Sequence, residues 1–237
     1  MPTRLIVEAK DVQPEWTPSM DAHLHSTWGD GEQTIQEVYE AAIAAGLKAI
    51  LFSEHACKKD ANWFGDFAKE IRSLPRSSCH AFVGAECNIA DCTGCIDTVP
   101  AIVEVCDLMM VSVLSLPDGK GGKLDLTRLD PQKAMEIEYE LSWAALANPQ
   151  VDILGRIFGI CYHEFDFSPP EEKLRALIAR AVEYDVAIEI NAKYHPNPVR
   201  LMNLCAKAEA RITFGSNAHK AADVGATVKM LQERSME

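Results

Sequence analysis

The sequence predicts an α/β fold, a parallel barrel of seven strands with helices between them, similar to a TIM barrel. Short apolar runs alternate with longer amphipathic stretches along the chain, which is typical of βα units around a parallel sheet. Polar side chains also follow these runs, since His55, Glu86 and His219 each stand where an apolar run ends. Parallel barrels carry their chemistry in the loops at the carboxyl ends of the strands.

Seven apolar runs are predicted strands. The run at 108–113 is apolar except for one serine, as expected of a strand that is covered on both faces. An arm with three prolines, residues 1–18, precedes the first strand. The strands are predicted at residues 20–25, 48–53, 80–86, 108–113, 151–154, 187–191 and 212–216.

Local signals place the helices between these strands. Thr34 and Glu37 are spaced as a capping box, and Gly46 ends the helix that they begin. Asp130 and Pro131 begin another helix as N-cap and first helical residue. The helices are predicted at residues 35–45, 63–74, 99–106, 130–147, 170–184 and 198–208.

Length and charge limit the function classes. A chain of 237 residues with 48% hydrophobic content suits one domain, residues 1–237, with 1–18 as an N-terminal arm. The net charge of -12, from 35 acidic and 23 basic residues, argues against nucleic-acid or anionic-membrane partners and suits cation binding. No signal-peptide core or apolar run of about 20 residues is found. A cytoplasmic location is therefore expected, and the oligomeric state stays open.

Eight cysteines are expected to be free thiols in such a location. Cys87, Cys92 and Cys95 nevertheless form a C-x4-C-x2-C run like that of plant-type iron–sulfur proteins. No fourth cysteine stands out to complete a cluster. A separate metal site in this loop is the weaker of the two interpretations.

The main chemical motif is the pair His23 and His25. Side chains two residues apart lie on the same face of a strand, so both imidazoles can reach one metal ion. Imidazole suits zinc, iron and manganese, and the nearby carboxylates Asp21 and Asp30 can orient the rings or add oxygen ligands.

Taken in order, these motifs resemble the PHP (polymerase and histidinol phosphatase) family of metal-dependent phosphoesterases. The resemblance runs from about residue 20 to about residue 225 and implies a distorted (β/α)7 barrel. The matching positions are His23, His25, Asp30, His55, Glu86, the triplet Glu189-Ile190-Asn191 and His219. Glu189 and Asn191 are expected to support the site rather than bind a metal.

Three positions depart from the family pattern. Leu114 and Arg156 stand where the family usually has histidines, and Asn217 stands where it usually has an aspartate. Carried over to this chain, the family's first metal centre would be His23, His25, Glu86 and Asn217. Its third centre would be Asp30, His55 and His219, whereas the second would keep only Glu86. The resemblance thus implies divalent ions (Zn, Mn or Fe), fewer than three.

The resemblance implies hydrolysis of a small phosphorylated metabolite by metal-activated water. In this interpretation Arg156 replaces one lost ion as a phosphate clamp, because a guanidinium can grip phosphate with two parallel hydrogen bonds. Arg156 and Glu86 are the predicted catalytic residues. The alternatives are a metal- or ligand-binding barrel without turnover, as a regulatory or partner protein, and, less favoured, a polymerase-associated module.

Three further residues are second-rank candidates for binding substrate. His195 and Lys193 follow the sixth predicted strand, near the expected mouth of the barrel. His163 follows the fifth strand by several residues, and a surface loop is its expected setting.

Overall fold

The computed structural model describes residues 5–12, 18–76 and 78–235. Their strands form one sheet in the spatial order β1-β8-β7-β6-β5-β4-β3-β2. Strands β2 to β8 are parallel and neighbouring in sequence, which confirms the seven predicted strands and the α/β barrel class. The strands are β1 (Val7–Glu8), β2 (Met20–Leu24), β3 (Ala49–His55), β4 (His80–Asn88), β5 (Leu108–Ser112), β6 (Ile153–Leu154), β7 (Ala187–Ile190) and β8 (Arg211–Phe214).

The sheet curls until its first and last parallel strands meet at their carboxyl ends. Leu24 forms a parallel bridge with Ala218, the backbone N–H of His25 donates to Ala218 O at 3.0 Å, and Ala218 N donates to His23 O at 3.2 Å. This closure brings the residues after β2 and the residues after β8 side by side.

Helices separate most of the strands, largely with the predicted caps. Thr34 accepts from Glu37 N while the Glu37 carboxylate accepts from Thr34 N, and Asp130 accepts from Lys133 N at 3.1 Å. The helices are α1 (Ile35–Ala44), α2 (Phe64–Ser73), α3 (Pro100–Val103), α4 (Pro131–Ala145), α5 (Gly159–Phe165), α6 (Glu171–Glu183), α7 (Pro198–Lys207) and α8 (Ala226–Ser235).

Three elements, β1, α5 and α8, differ from the sequence prediction, and α8 lies beyond the last predicted helix. Part of the predicted N-terminal arm forms β1, which pairs antiparallel with β8, while residues 1–4 and 13–17 of that arm lie outside the described residues. Helix α5 was not predicted. It lies between Phe158 and Asp166, whose left-handed φ values of 56° and 46° replace the usual cap signals.

The parallel strands are largely buried, and their apolar side chains contribute to the core. Every residue of β2 and of β7 is buried, and Phe52, Leu51 and Ile50 of β3 are fully enclosed. Among the described residues, no helix has the length and apolar character needed to cross a membrane.

Candidate metal centre

Five side chains that are far apart in sequence converge at the carboxyl ends of the strands. His23 comes from β2 and His25 directly follows it, while His55 comes from β3, Glu86 from β4 and His219 from the segment after β8. The ring of His25 lies 4.2 Å from that of His219, 4.6 Å from that of His55 and 5.2 Å from that of His23, between ring centroids. The structure thus gathers the side chains that the motifs predicted, and their role as metal ligands stays a prediction.

The outer group consists of His25, Asp30, His55 and His219. Their donor atoms all lie within 4.8 Å of one another, and Asp30 Oδ1 is 3.3 Å from His219 Nε2. His219 Nδ1 donates to Asn217 O at 3.0 Å, which leaves the Nε2 lone pair directed at Asp30. Burial, together with His23, holds the pKa of His25 well below its ordinary value, so this ring is neutral and can act as a ligand.

The inner group consists of His23, His25 and Glu86, all of them buried. Glu86 Oε2 lies 3.1 Å from His23 Nε2 and 3.8 Å from His25 Nε2. The guanidinium of Arg156 also lies here, with Nη2 at 2.5 Å from Glu86 Oε2, 3.0 Å from Asn217 Oδ1 and 3.5 Å from His23 Nε2.

Buried carboxylates set the protonation of the inner group. Burial alone lowers the pKa of His23, but Glu86 and Glu189 outweigh burial and raise it to about 9. Burial alone raises the pKa of Glu86, but His23 and Arg156 outweigh burial and hold it well below its ordinary value. Glu86 is therefore an ionised carboxylate at neutral pH, already faced by positive charge.

Several buried polar atoms at the site have no hydrogen-bond partner, as expected of donors that bind a cation. His25 Nδ1, His55 Nδ1, Glu54 Oε2 and Glu86 Oε1 are all buried, and none has a hydrogen-bond partner among the residues that the structure describes. Leaving such atoms unpaired costs about 1–3 kcal/mol each, unless a bound group pairs with them. The outer group, three imidazoles and a carboxylate, suits zinc, manganese or iron.

The triplet Glu189-Ile190-Asn191 at the end of β7 lies beneath the site. Glu189 Oε1 accepts from His23 Nδ1 at 2.7 Å and from Asn191 Nδ2 at 2.8 Å. Glu189 Oε2 accepts from the backbone N–H of Arg156 at 2.8 Å. A carboxylate on Nδ1 fixes the orientation of the ring and directs Nε2 towards the inner group.

Asp21 has a different role from the one expected of it. Its carboxylate accepts from the backbone N–H groups of His23, Ser216 and Gly225 at 3.2, 2.9 and 2.8 Å. It therefore ties β2 to the segments after β8, and does not orient the imidazoles or add an oxygen ligand.

Two of the three second-rank candidates, His163 and Lys193, lie near Tyr194 at the mouth. His163 is exposed, as expected, but it belongs to α5 rather than to a loop, and its ring is 5.5 Å from that of Tyr194. Lys193 Nζ lies 5.9 Å from the Tyr194 ring centroid, on which Arg156 also packs at 4.9 Å. His195 is 4% exposed, and its Nδ1 accepts from Asn191 N at 3.2 Å. Its hydrogen bond therefore lies within the loop after β7 and not at the mouth.

The cysteine run does not form a site. Cys87 is buried in β4, Cys92 is exposed and Cys95 is half-buried, and all three are free thiols. Among the described residues, the side-chain groups close enough to share a metal ion are the outer and inner groups, and neither includes a cysteine.

Two residues near the site were not predicted. Glu54 directly precedes His55 and is buried, with Oε1 accepting from Ser26 N at 2.6 Å and Oε2 lying 3.6 Å from His25 Nδ1. Burial raises its pKa to about 7. Tyr194 OH accepts from Asn217 Nδ2 at 3.1 Å. Glu54 could have been predicted, because it is a carboxylate at the end of a predicted strand. No feature of the sequence around Tyr194 indicates that it lies near the site.

Comparisons with known proteins agree with this geometry. A model of the family described as PHP domain matches residues 21–193. A protein of Caldicellulosiruptor saccharolyticus named "Probable phosphatase" is 25% identical over 229 residues, 90% of this chain and 87% of the relative. A protein of Caldicellulosiruptor bescii with the same name is 27% identical over 218 residues, 87% of this chain and 82% of the relative.

A solved structure shares the fold. Histidinol phosphate phosphatase from Lactococcus lactis subsp. lactis, complexed with zinc, L-histidinol and phosphate, superposes with a TM-score of 0.66 at 16% identity. The match covers 92% of this chain and 93% of that chain. At this identity the likeness concerns the course of the backbone, and the chemistry has to be argued from the side chains.

Proposed function

The chain belongs to the PHP domain family, and from this premise we propose that it is a metal-dependent phosphatase of a small phosphate monoester. The observation that carries the proposal is the outer group, in which His25, Asp30, His55 and His219 place their donor atoms within 4.8 Å of one another at the barrel mouth. A divalent ion held there would supply a Lewis acid for phosphate oxygens and lower the pKa of water.

Arg156 is the proposed phosphate clamp. Its Nη2 is held by Glu86 and Asn217, while its buried Nε has no partner among the described residues. A guanidinium is always charged and presents its donors in a planar fork that fits phosphate oxygens. Glu86, ionised and fully buried, fixes this fork rather than exchanging a proton.

Lys193 is the proposed second phosphate contact. Its ammonium and the Arg156 guanidinium both lie against the Tyr194 ring, so the two cations flank one aromatic side chain at the mouth. Burial and the charge of Arg156 lower the pKa of Lys193. A phosphate dianion that binds beside Lys193 would raise this pKa again. Two cations beside a metal ion would attract the dianion of a phosphate monoester.

The test is turnover of a panel of small phosphate monoesters by protein purified without chelators. L-Histidinol phosphate belongs in the panel because the Lactococcus structure contains L-histidinol and phosphate. We expect phosphate release that a chelator abolishes and added zinc or manganese restores. Asp30→Asn should lose at least 100-fold in kcat/KM, whereas Arg175→Ala, which changes an exposed pair with Glu171 on α6, should match the parent.

A folded, metal-loaded protein that releases no phosphate from any member of the panel would contradict this proposal. It would instead support the alternative of a barrel that binds metal without turnover. Metal content measured on the same sample therefore has to accompany the turnover assay.

A further inference from the structure

The guanidinium of Arg156 lies inside a set of acceptors that sequence motifs assign to a metal ion. Glu86 Oε2 from β4, Asn217 Oδ1 from the segment after β8 and His23 Nε2 from β2 surround Nη2 at 2.5, 3.0 and 3.5 Å. The oxygen lone pairs of Glu86 and Asn217, which converge beside the ring nitrogen of His23, form a cation site. In this chain the cation at that point is the guanidinium.

We propose that Arg156 takes the place of a divalent ion at His23, Glu86 and Asn217, so that the protein binds one divalent ion per chain, at the outer group. This inference rests on the proposed metal-dependent function and specifies which ligands serve it. The sequence places Arg156 where the second centre has lost a histidine, but its side chain reaches the first centre instead.

Because their charges repel, the Arg156 guanidinium and a divalent ion cannot occupy the inner group together. Glu86 is fully buried and the Arg156 side chain is 13% exposed, so little water screens charges at this point. A guanidinium stays protonated at any accessible pH and cannot give up its charge to a competing ion. A divalent ion could bind His23 and Glu86 only if the guanidinium moved away.

Several contacts hold the guanidinium in place. The backbone N–H of Arg156 donates to Glu189 Oε2 at 2.8 Å, and the guanidinium carbon lies 4.9 Å from the centroid of the Tyr194 ring. Tyr194 OH in turn accepts from Asn217 Nδ2 at 3.1 Å. The backbone of Arg156 is thus bound to Glu189, and its guanidinium contacts the Tyr194 ring and the acceptors of the inner group. Displacing the side chain would break the contacts of the guanidinium with both.

The outer group remains available to a metal ion. His25 Nε2 faces Asn217 Oδ1 at 3.1 Å, whereas Nδ1 faces Asp30 Oδ1 at 3.8 Å. If Nε2 carries the hydrogen and donates it to Asn217, the Nδ1 lone pair is left for the outer group. His25 therefore divides its two nitrogens between the groups.

Metal counting by inductively coupled plasma and native mass spectrometry tests the inference with zinc as the probe. We expect about one equivalent in the parent protein and none in Asp30→Asn. Arg156→Ala should bind about two, and the double variant with Asp30→Asn should bind about one. Arg175→Ala, the matched arginine control on the surface, should bind about one.

Arg156→Ala keeps a Cβ at a position with φ 47°, so it leaves the backbone cost unchanged. If Arg156→Ala nevertheless fails to fold, the zinc counts of the parent and of Asp30→Asn test the inference. Two equivalents in the parent, or one retained in Asp30→Asn, would overturn the inference.

An unchanged count in folded Arg156→Ala would also overturn the inference. Turnover of the same samples separates the two proposals. Two ions with phosphate release contradict the inference alone, whereas one ion without release contradicts the proposed function alone.

Discussion

Removing the Arg156 guanidinium should destabilise the metal-free protein by a measurable amount. The substitution Arg156→Ala leaves the Glu86 carboxylate, which is fully buried, without its contact at 2.5 Å. Breaking a buried ion pair by deleting one partner costs about 3–5 kcal/mol. His23 Nε2 stays 3.1 Å from the same oxygen and compensates part of the charge, so we expect the lower end, about 3 kcal/mol.

Urea unfolding in the presence of a chelator measures this loss. For a chain of 237 residues, a loss of about 3 kcal/mol corresponds to a fall in Tm of roughly 6–12 °C. The m-value should stay constant, since the variant exposes similar surface on unfolding. The control Arg175→Ala removes an exposed i,i+4 pair and should cost about 0.5 kcal/mol or less.

Zinc provides the second half of this experiment. If a divalent ion takes the vacated acceptors in Arg156→Ala, zinc at 100 times its Kd adds about 2.7 kcal/mol beyond the stabilisation seen in the parent. A variant that loses less than about 1 kcal/mol in chelator would refute the reasoning, because Glu86 would then not depend on Arg156.

Four further predictions concern single groups. Chelation should lower the Tm of the parent, and Asp30→Asn should lack the Tm gain on adding zinc, as measured by calorimetry. Asn217→Asp should leave the zinc count of the parent at about one, but combined with Arg156→Ala it should tighten the second ion at least tenfold by titration calorimetry. Lys193→Ala should raise KM for the phosphate ester about tenfold with a smaller change in kcat. Burial raises the pKa of Glu138 to about 7 from 4.5, so the native protein retains a proton that the unfolded chain releases. Between those pH values Glu138 should therefore lower the stability of the parent relative to Glu138→Gln by about 3 kcal/mol, measured by urea unfolding of both proteins.

The sequence was sufficient to place the strands and the outer group. Apolar runs ending in His55 or Glu86 predict parallel strands with polar carboxyl ends. His23 lies on the strand that was expected to carry it, and His25 follows directly after the end of that strand. These predictions succeed because they depend on strand periodicity and strand order, which local sequence encodes.

The position of the guanidinium could not be predicted in the same way. Arg156 and Phe158 have left-handed φ values of 47° and 56°, which a residue with a Cβ adopts only when its surroundings impose them. Helix α5 follows directly and was also missed. Its backbone N–H groups at Ile160 and Cys161 donate to Glu138 at 3.0 Å, a partner on α4 that no local cap signal reveals.

Glu189 explains why an arginine can hold this position against a metal ion. Its Oε1 orients the His23 ring at 2.7 Å, and its Oε2 accepts from the backbone N–H of Arg156 at 2.8 Å. One buried carboxylate thus positions both neighbours of Glu86, the imidazole and the start of the guanidinium side chain. An arginine on a mobile surface loop would be displaced by a divalent ion, because its side chain gains conformational entropy in solvent. Here the backbone is tied to the barrel floor, and the ion has to compete with a cation that is already in place.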